Sequence, residues 1–124
     1  MPLEAGQEKK VLVLVVDDEP RLLKFMTIDL RLRGFDVITA GSGGAALDMV
    51  RDAGPDIILL DIIMPQMDGF EVLNQLREFS EAPVIAISSD IENRTPALGR
   101  GASDFFVKPF RTMEVVDSMN RLLA

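Results

Sequence analysis

Five short apolar runs, broken only by Thr39, constrain this chain more than any other feature. They are Val11–Val16, Val37–Ala40, Ile57–Leu60, Val84–Ile87 and Phe105–Val107. Apolar residues on both sides of the pleat describe strands buried on both faces, since a half-exposed strand would alternate. Between the runs, apolar residues fall at helical spacing. Pro20–Arg33 places Leu23, Met26 and Leu30 together, with Pro in the first turn and Gly34 as a stop. Ser42–Ala53 opens on a good N-cap, groups Ala46, Leu47 and Val50, and stops at Gly54-Pro55. Gly43-Gly44 predicts a loose first turn there, each glycine costing about 1 kcal/mol relative to alanine. Gly69–Phe79 carries Phe70, Leu73 and Leu76; Thr112–Leu123 carries Val115 or Val116, Met119, and Leu122 or Leu123. Asp90–Gly101 offers only Ala97 and Leu98 before Gly99 and Gly101, so a short or irregular helix is expected. Strand and helix thus alternate five times. That pattern predicts an α/β fold, a parallel sheet with helices on both faces and right-handed crossovers. Residues 1–10 read as a polar extension and 11–124 as one domain.

Composition narrows the chemistry. A chain of 124 residues that is 48% hydrophobic and 27% charged suits one globular domain. It has no cysteine, which excludes disulfides, zinc-thiolate sites and thiol nucleophiles. It has no histidine, which excludes the Ser-His-Asp triad and histidine metal ligands. A net charge of −7 argues against direct nucleic-acid binding by this chain. No segment has the eighteen or so apolar residues of a membrane span, and the run after Lys9-Lys10 is too short for a signal peptide. The expectation is a cytoplasmic protein without a membrane anchor.

In a parallel sheet the residues just past the strands gather on one edge, where open α/β sheets bind ligands. After the first run come Asp17 and Asp18; Asp61 ends the third, Ser88 follows the fourth and Lys108 the fifth. Taken singly, these residues would be turn and cap residues. Together they put three carboxylates, a hydroxyl and an ammonium in one small area. Carboxylates 4 Å apart repel by about 4 kcal/mol per pair at an effective dielectric of 20. One lysine does not offset three acids, but Mg²⁺ does, and it shares its shell with phosphate oxygens. An ionised Asp needs no general base to act as a nucleophile toward phosphorus. Phosphoryl transfer asks mainly for positioning and charge neutralisation.

These residues sit in four motifs: Val13-Leu14-Val15-Val16-Asp17-Asp18-Glu19-Pro20, Leu59-Leu60-Asp61-Ile62-Ile63-Met64-Pro65-Gln66-Met67-Asp68-Gly69, Pro83-Val84-Ile85-Ala86-Ile87-Ser88-Ser89 and Lys108-Pro109-Phe110. From Val11 to about Leu123 the chain resembles a response-regulator receiver domain, the phosphoacceptor half of bacterial two-component signalling. The resemblance implies a flavodoxin-like sheet of strand order 2-1-3-4-5. It implies that Asp61 is phosphorylated and that Mg²⁺ is held by Asp18 and Asp61 directly, by Asp17 through water, and by the Ile63 carbonyl. Lys108, with a cis bond to Pro109, would neutralise a phosphoryl oxygen. Ser88 would be the switch hydroxyl and Phe105 the switch aromatic. The phosphoryl donor would be a partner histidine kinase or histidine phosphotransfer protein. The chain itself would be a switch that catalyses only its own phosphorylation and dephosphorylation, as a monomer or a phosphorylation-dependent dimer.

Two features depart from the family pattern. Phe105 lacks the hydroxyl of the more familiar tyrosine, so switching would rest on packing. The Ser88–Lys108 interval is short and contains Pro96, which bears on the α4-β5-α5 output face. The surplus of apolar residues in Leu22-Leu23-Lys24-Phe25-Met26 suggests kinase docking on the first helix, or simply packing at its margins. No output domain follows Leu123, so a stand-alone regulator and a receiver from a longer protein both fit. A phosphohydrolase of the haloacid-dehalogenase type would need an Asp where Ile63 stands. A module that has lost phosphorylation fits poorly with a complete residue set. Gly41-Ser42-Gly43-Gly44 lacks the lysine of a P-loop and the third glycine of a dinucleotide site.

Overall fold

The computed structural model describes residues 9–124. The expected extension, residues 1–10, thus lies mostly outside the described residues. The elements in order are β1 (Leu12–Val16), α1 (Pro20–Leu32), β2 (Asp36–Ala40), α2 (Gly43–Ala53), β3 (Ile57–Asp61), α3 (Gly69–Leu76), β4 (Val84–Ser88), α4 (Arg94–Gly99), β5 (Asp104–Val107) and α5 (Thr112–Leu123), with a 3-10 turn at Ile91–Asn93 before α4. All strand pairs are parallel and the sheet order is β2-β1-β3-β4-β5. The expected fold class is the one observed.

The uninterrupted apolar runs are explained by two cores, one on each face of the sheet. Leu14, Val16, Ile58, Leu60, Val84, Ala86 and Phe105 face α2, α3 and the single buried side chain of α4, Ala97. The alternate residues Val13, Val15, Ile57, Leu59, Ile85 and Ile87 face Met26 and Leu30 of α1 and Val115, Val116 and Met119 of α5. Each such Leu or Ile, buried rather than exposed, contributes about 1.5–3 kcal/mol. No helix among the described residues is long and apolar enough to cross a membrane.

Helix ends follow local chemistry. Ser42 caps α2 through the Ala45 N–H (3.2 Å), and Asp68 caps α3 through the Glu71 N–H (3.0 Å). Gly34, at φ +95°, lets the chain leave α1. Two expectations need correction. α3 ends at Leu76 and not Phe79. There the Arg77 guanidinium bonds the carbonyls of Ser80, Ala82 and Gly101 (2.8–3.2 Å), drawing the chain beyond the helix into a turn. Burial pushes that guanidinium below its ordinary pKa, opposed by Glu81. Gly43 is no loose turn: it is buried, and a Cβ there would stand 2.8 Å from Val72 Cγ2 and 2.9 Å from Met67 Sδ. Gly69 opens α3 as expected, and it packs directly on the backbone of Asp61 and Ile62.

Candidate functional site

The strand ends carry the site. Asp17 leaves β1 with its N–H bonded to the Ala40 carbonyl (3.1 Å), which keeps it in line with the sheet. It is 3% exposed. Its Oδ1 accepts from the Glu19 N–H (2.9 Å) and its Oδ2 from Lys108 Nζ (2.9 Å). Asp61 ends β3 and is 4% exposed. Its Oδ1 accepts from the Ile63 N–H (3.3 Å), and its Oδ2 lies 3.4 Å from Lys108 Nζ. Asp18 is exposed beside them, and one oxygen from each of Asp17, Asp18 and Asp61 lies within 4.8 Å of the others. Lys108 comes just after β5 and has a cis bond to Pro109.

Burial is the main reason the Asp61 carboxyl is raised to about 6, and the Asp17 charge adds to it; Lys108 and the Ile63 N–H oppose the shift. Burial acts to lower Lys108, but its hydrogen bond to Asp17 and the charges of Asp61 and Asp17 outweigh this and hold it above its ordinary value. Two negative charges stay uncompensated by protein. Three oxygen donors, with no nitrogen or sulfur among them, suit a hard divalent cation that keeps water or phosphate in its remaining positions.

Ser88 ends β4 and is fully buried. Its Oγ accepts from the Asp90 N–H (3.1 Å) and from Asn93 Nδ2 (2.9 Å). Phe105 is buried, packed inward in the core shared with α4. Ile63 is half exposed at the rim. Sequence reasoning missed Asn93 and Arg77. Both act through polar atoms that an apolar period does not track, and only the spacing of five residues from Ser88 could have drawn attention to Asn93.

The doubly wound sheet and its acidic C-terminal edge define an α/β domain of the phosphoacceptor class. The family model of the response regulator receiver domain matches residues 13–120. The chain belongs to that family and is a receiver domain of two-component signalling. The transcriptional regulatory protein KdpE of Mycobacterium tuberculosis is 45% identical over 101 residues, covering 80% of this chain and 45% of that protein. The DNA-binding response regulator MtrA of Mycolicibacterium smegmatis is 41% identical over 106 residues, 84% of this chain and 46% of its own. The chain spans about half the length of these curated relatives. Among solved structures, the response regulator TrrA of Thermotoga maritima, in complex with Mg²⁺-BeF, superposes with a TM-score of 0.84 at 30% identity. It covers 91% of this chain and 99% of that one.

Proposed function

We propose that Asp61 accepts a phosphoryl group from a histidine of a partner kinase or phosphotransfer protein. The observation that carries this is the buried Asp61 carboxylate at a strand end, with Lys108 Nζ at 3.4 Å and the Asp17 and Asp18 carboxylates beside it. An Asp61 oxygen attacks phosphorus, and the P–N bond to the donor imidazole breaks with its electron pair going to nitrogen, which takes a proton from solvent. Water later attacks the acyl phosphate, releasing inorganic phosphate and restoring the carboxylate. Asp17, Asp18, Asp61 and the Ile63 carbonyl would hold Mg²⁺, which would supply charge neutralisation for the transferred group. Lys108 moves from its carboxylate partners to one phosphoryl oxygen, and Ser88 donates to another. Phe105, already inward, follows Ser88 by packing. Catalysis is confined to the domain's own phosphorylation and reset.

The partner surface fits α1. Leu22 and Leu23 pack at the core margin and Met26 is buried, while Phe25, Ile28 and Leu32 are more than half exposed. Phe25 also lines a groove with Leu22, Met26, Lys108, Pro109 and Phe110, next to the phosphoacceptor. On this reading residues 11–124 form the receiver and act in the cytoplasm. The −7 charge disfavours a phosphate backbone as its own ligand.

The test is intact mass after incubation with Mg²⁺ and a small phosphodonor. An acid-labile phosphoryl adduct is expected, absent in Asp61→Ala. A folded wild type that takes no adduct would sink the reading.

A further inference from the structure

Ser88 Oγ has two acceptor lone pairs and one proton. Both lone pairs are engaged outside the acidic cluster's own residues, by the Asp90 N–H and the Asn93 side-chain amide. These donors differ. The Asp90 N–H belongs to an exposed residue just after β4, where water can replace the hydroxyl. Asn93 sits on the 3-10 turn, its N–H bonded to the Asp90 carbonyl (3.1 Å), and that turn is pinned again by the Asp90 Oδ1 bond to the Glu92 N–H (2.9 Å). Asn93 is also the residue from which α4 starts. One side chain therefore ties the orientation of the Ser88 hydroxyl to the position of α4.

We propose that Asn93 is a positioning residue that holds the Ser88 hydroxyl in its resting orientation and thereby limits how readily the Asp61 site binds a phosphoryl group. The proposal rests on the reading of Asp61 and Ser88 given above. For Ser88 to donate to a phosphoryl oxygen, Oγ swings away from Asn93 and the 2.9 Å bond is lost. The fraction of molecules with Ser88 free sets the apparent affinity for the ligand that needs it. Loss of the bond also unties the 3-10 turn from the end of β4, so the same event that completes the site removes one restraint on the position of α4.

Beryllium fluoride with Mg²⁺, titrated by nuclear magnetic resonance into wild type and Asn93→Ala, tests this. Asn93 is half buried on a surface turn, so the substitution leaves both cores intact. Removing one neutral hydrogen bond from the resting state is expected to tighten beryllium fluoride binding roughly twofold to tenfold. In a Ser88→Ala background the same substitution is expected to change nothing, because the hydroxyl it restrains is gone. Equal affinity of wild type and Asn93→Ala overturns the latch and leaves the Asp61 reading intact. Equal tightening with and without Ser88 also overturns it, by placing the effect in α4 alone. A folded wild type that binds no beryllium fluoride overturns both readings.

Discussion

The ends of β1, β3 and β5 and the end of β4 meet on one edge of the sheet but are built in opposite ways. The first three hold charges at strand ends, Asp17 and Asp61 buried and Lys108 partly so, braced by the sheet, by the lysine–carboxylate pairs and by the tight seat of α3 under Asp61. The fourth leads into a 3-10 turn of three residues capped by Asp90 and a helix of six with no side-chain cap and one buried alanine. A site that receives a group needs its acceptor fixed, because misplaced reacting atoms lose rate steeply. A segment that reports the event needs two arrangements close in energy, which few contacts provide. The difference between the two regions is a division of labour between holding and moving.

The strongest challenge to the fixed region is Gly69→Ala. A Cβ there would stand 2.6 Å from both the Asp61 carbonyl oxygen and the Ile62 Cα, and backbone cannot yield as a flexible side chain can. The expected loss is about 3 kcal/mol, read as a lower urea midpoint. Core amides should exchange faster by hydrogen exchange while those of Ala97–Gly101 keep their wild-type rates. If α4 amides accelerate equally, the corner opens with the rest of the domain and the contrast fails.

A middle-sized effect probes the charge held in that region. With Asp61 raised from 3.8 to about 6, the folded state binds more protons than the unfolded chain between those values. In metal-free buffer this group's contribution to stability therefore rises as pH falls through about 6, is complete below about 4, and is a net cost at neutral pH. Asp61→Asn is expected to raise stability at pH 7 by on the order of 1 kcal/mol, about 3–6 °C in melting temperature. The gap between variant and wild type should close toward pH 4. A gap that stays constant across this range, in matched thermal melts, would show that burial does not strain the Asp61 carboxylate.

The same division governs how much was legible in the sequence. The strand termini carrying Asp17, Asp18, Asp61, Ser88 and Lys108 could be placed because apolar runs mark strands directly, and a parallel sheet gathers the residues at their C-terminal ends. The shortness of α4 was visible as missing apolar period. The contacts that could not be read are those made by atoms that pattern does not track. Gly43 looked like part of a loose turn, and nothing marked the tight seat of Gly69, because a close approach depends on the atoms another element brings near. Arg77 carried no signal because its acceptors are carbonyls of Ser80, Ala82 and the distant Gly101. The Asn93 bond to Ser88 depends on a turn that has no sequence period at all.

The smallest effect sharpens the moving side. Gly99 ends α4 at a helical position with nothing within 4 Å of a built Cβ, and its φ lies outside the left-handed region. Alanine there removes conformational freedom from the unfolded chain without strain, a gain of about 0.4–1 kcal/mol. Amides of Ala97–Gly101 should then exchange about twofold to fivefold more slowly. Both glycines begin or end a helix, yet one is fixed by backbone contact and the other is free. If Gly99→Ala proves as costly as Gly69→Ala, α4 is seated as tightly as α3, and a short helix with one buried side chain is not a pliable one.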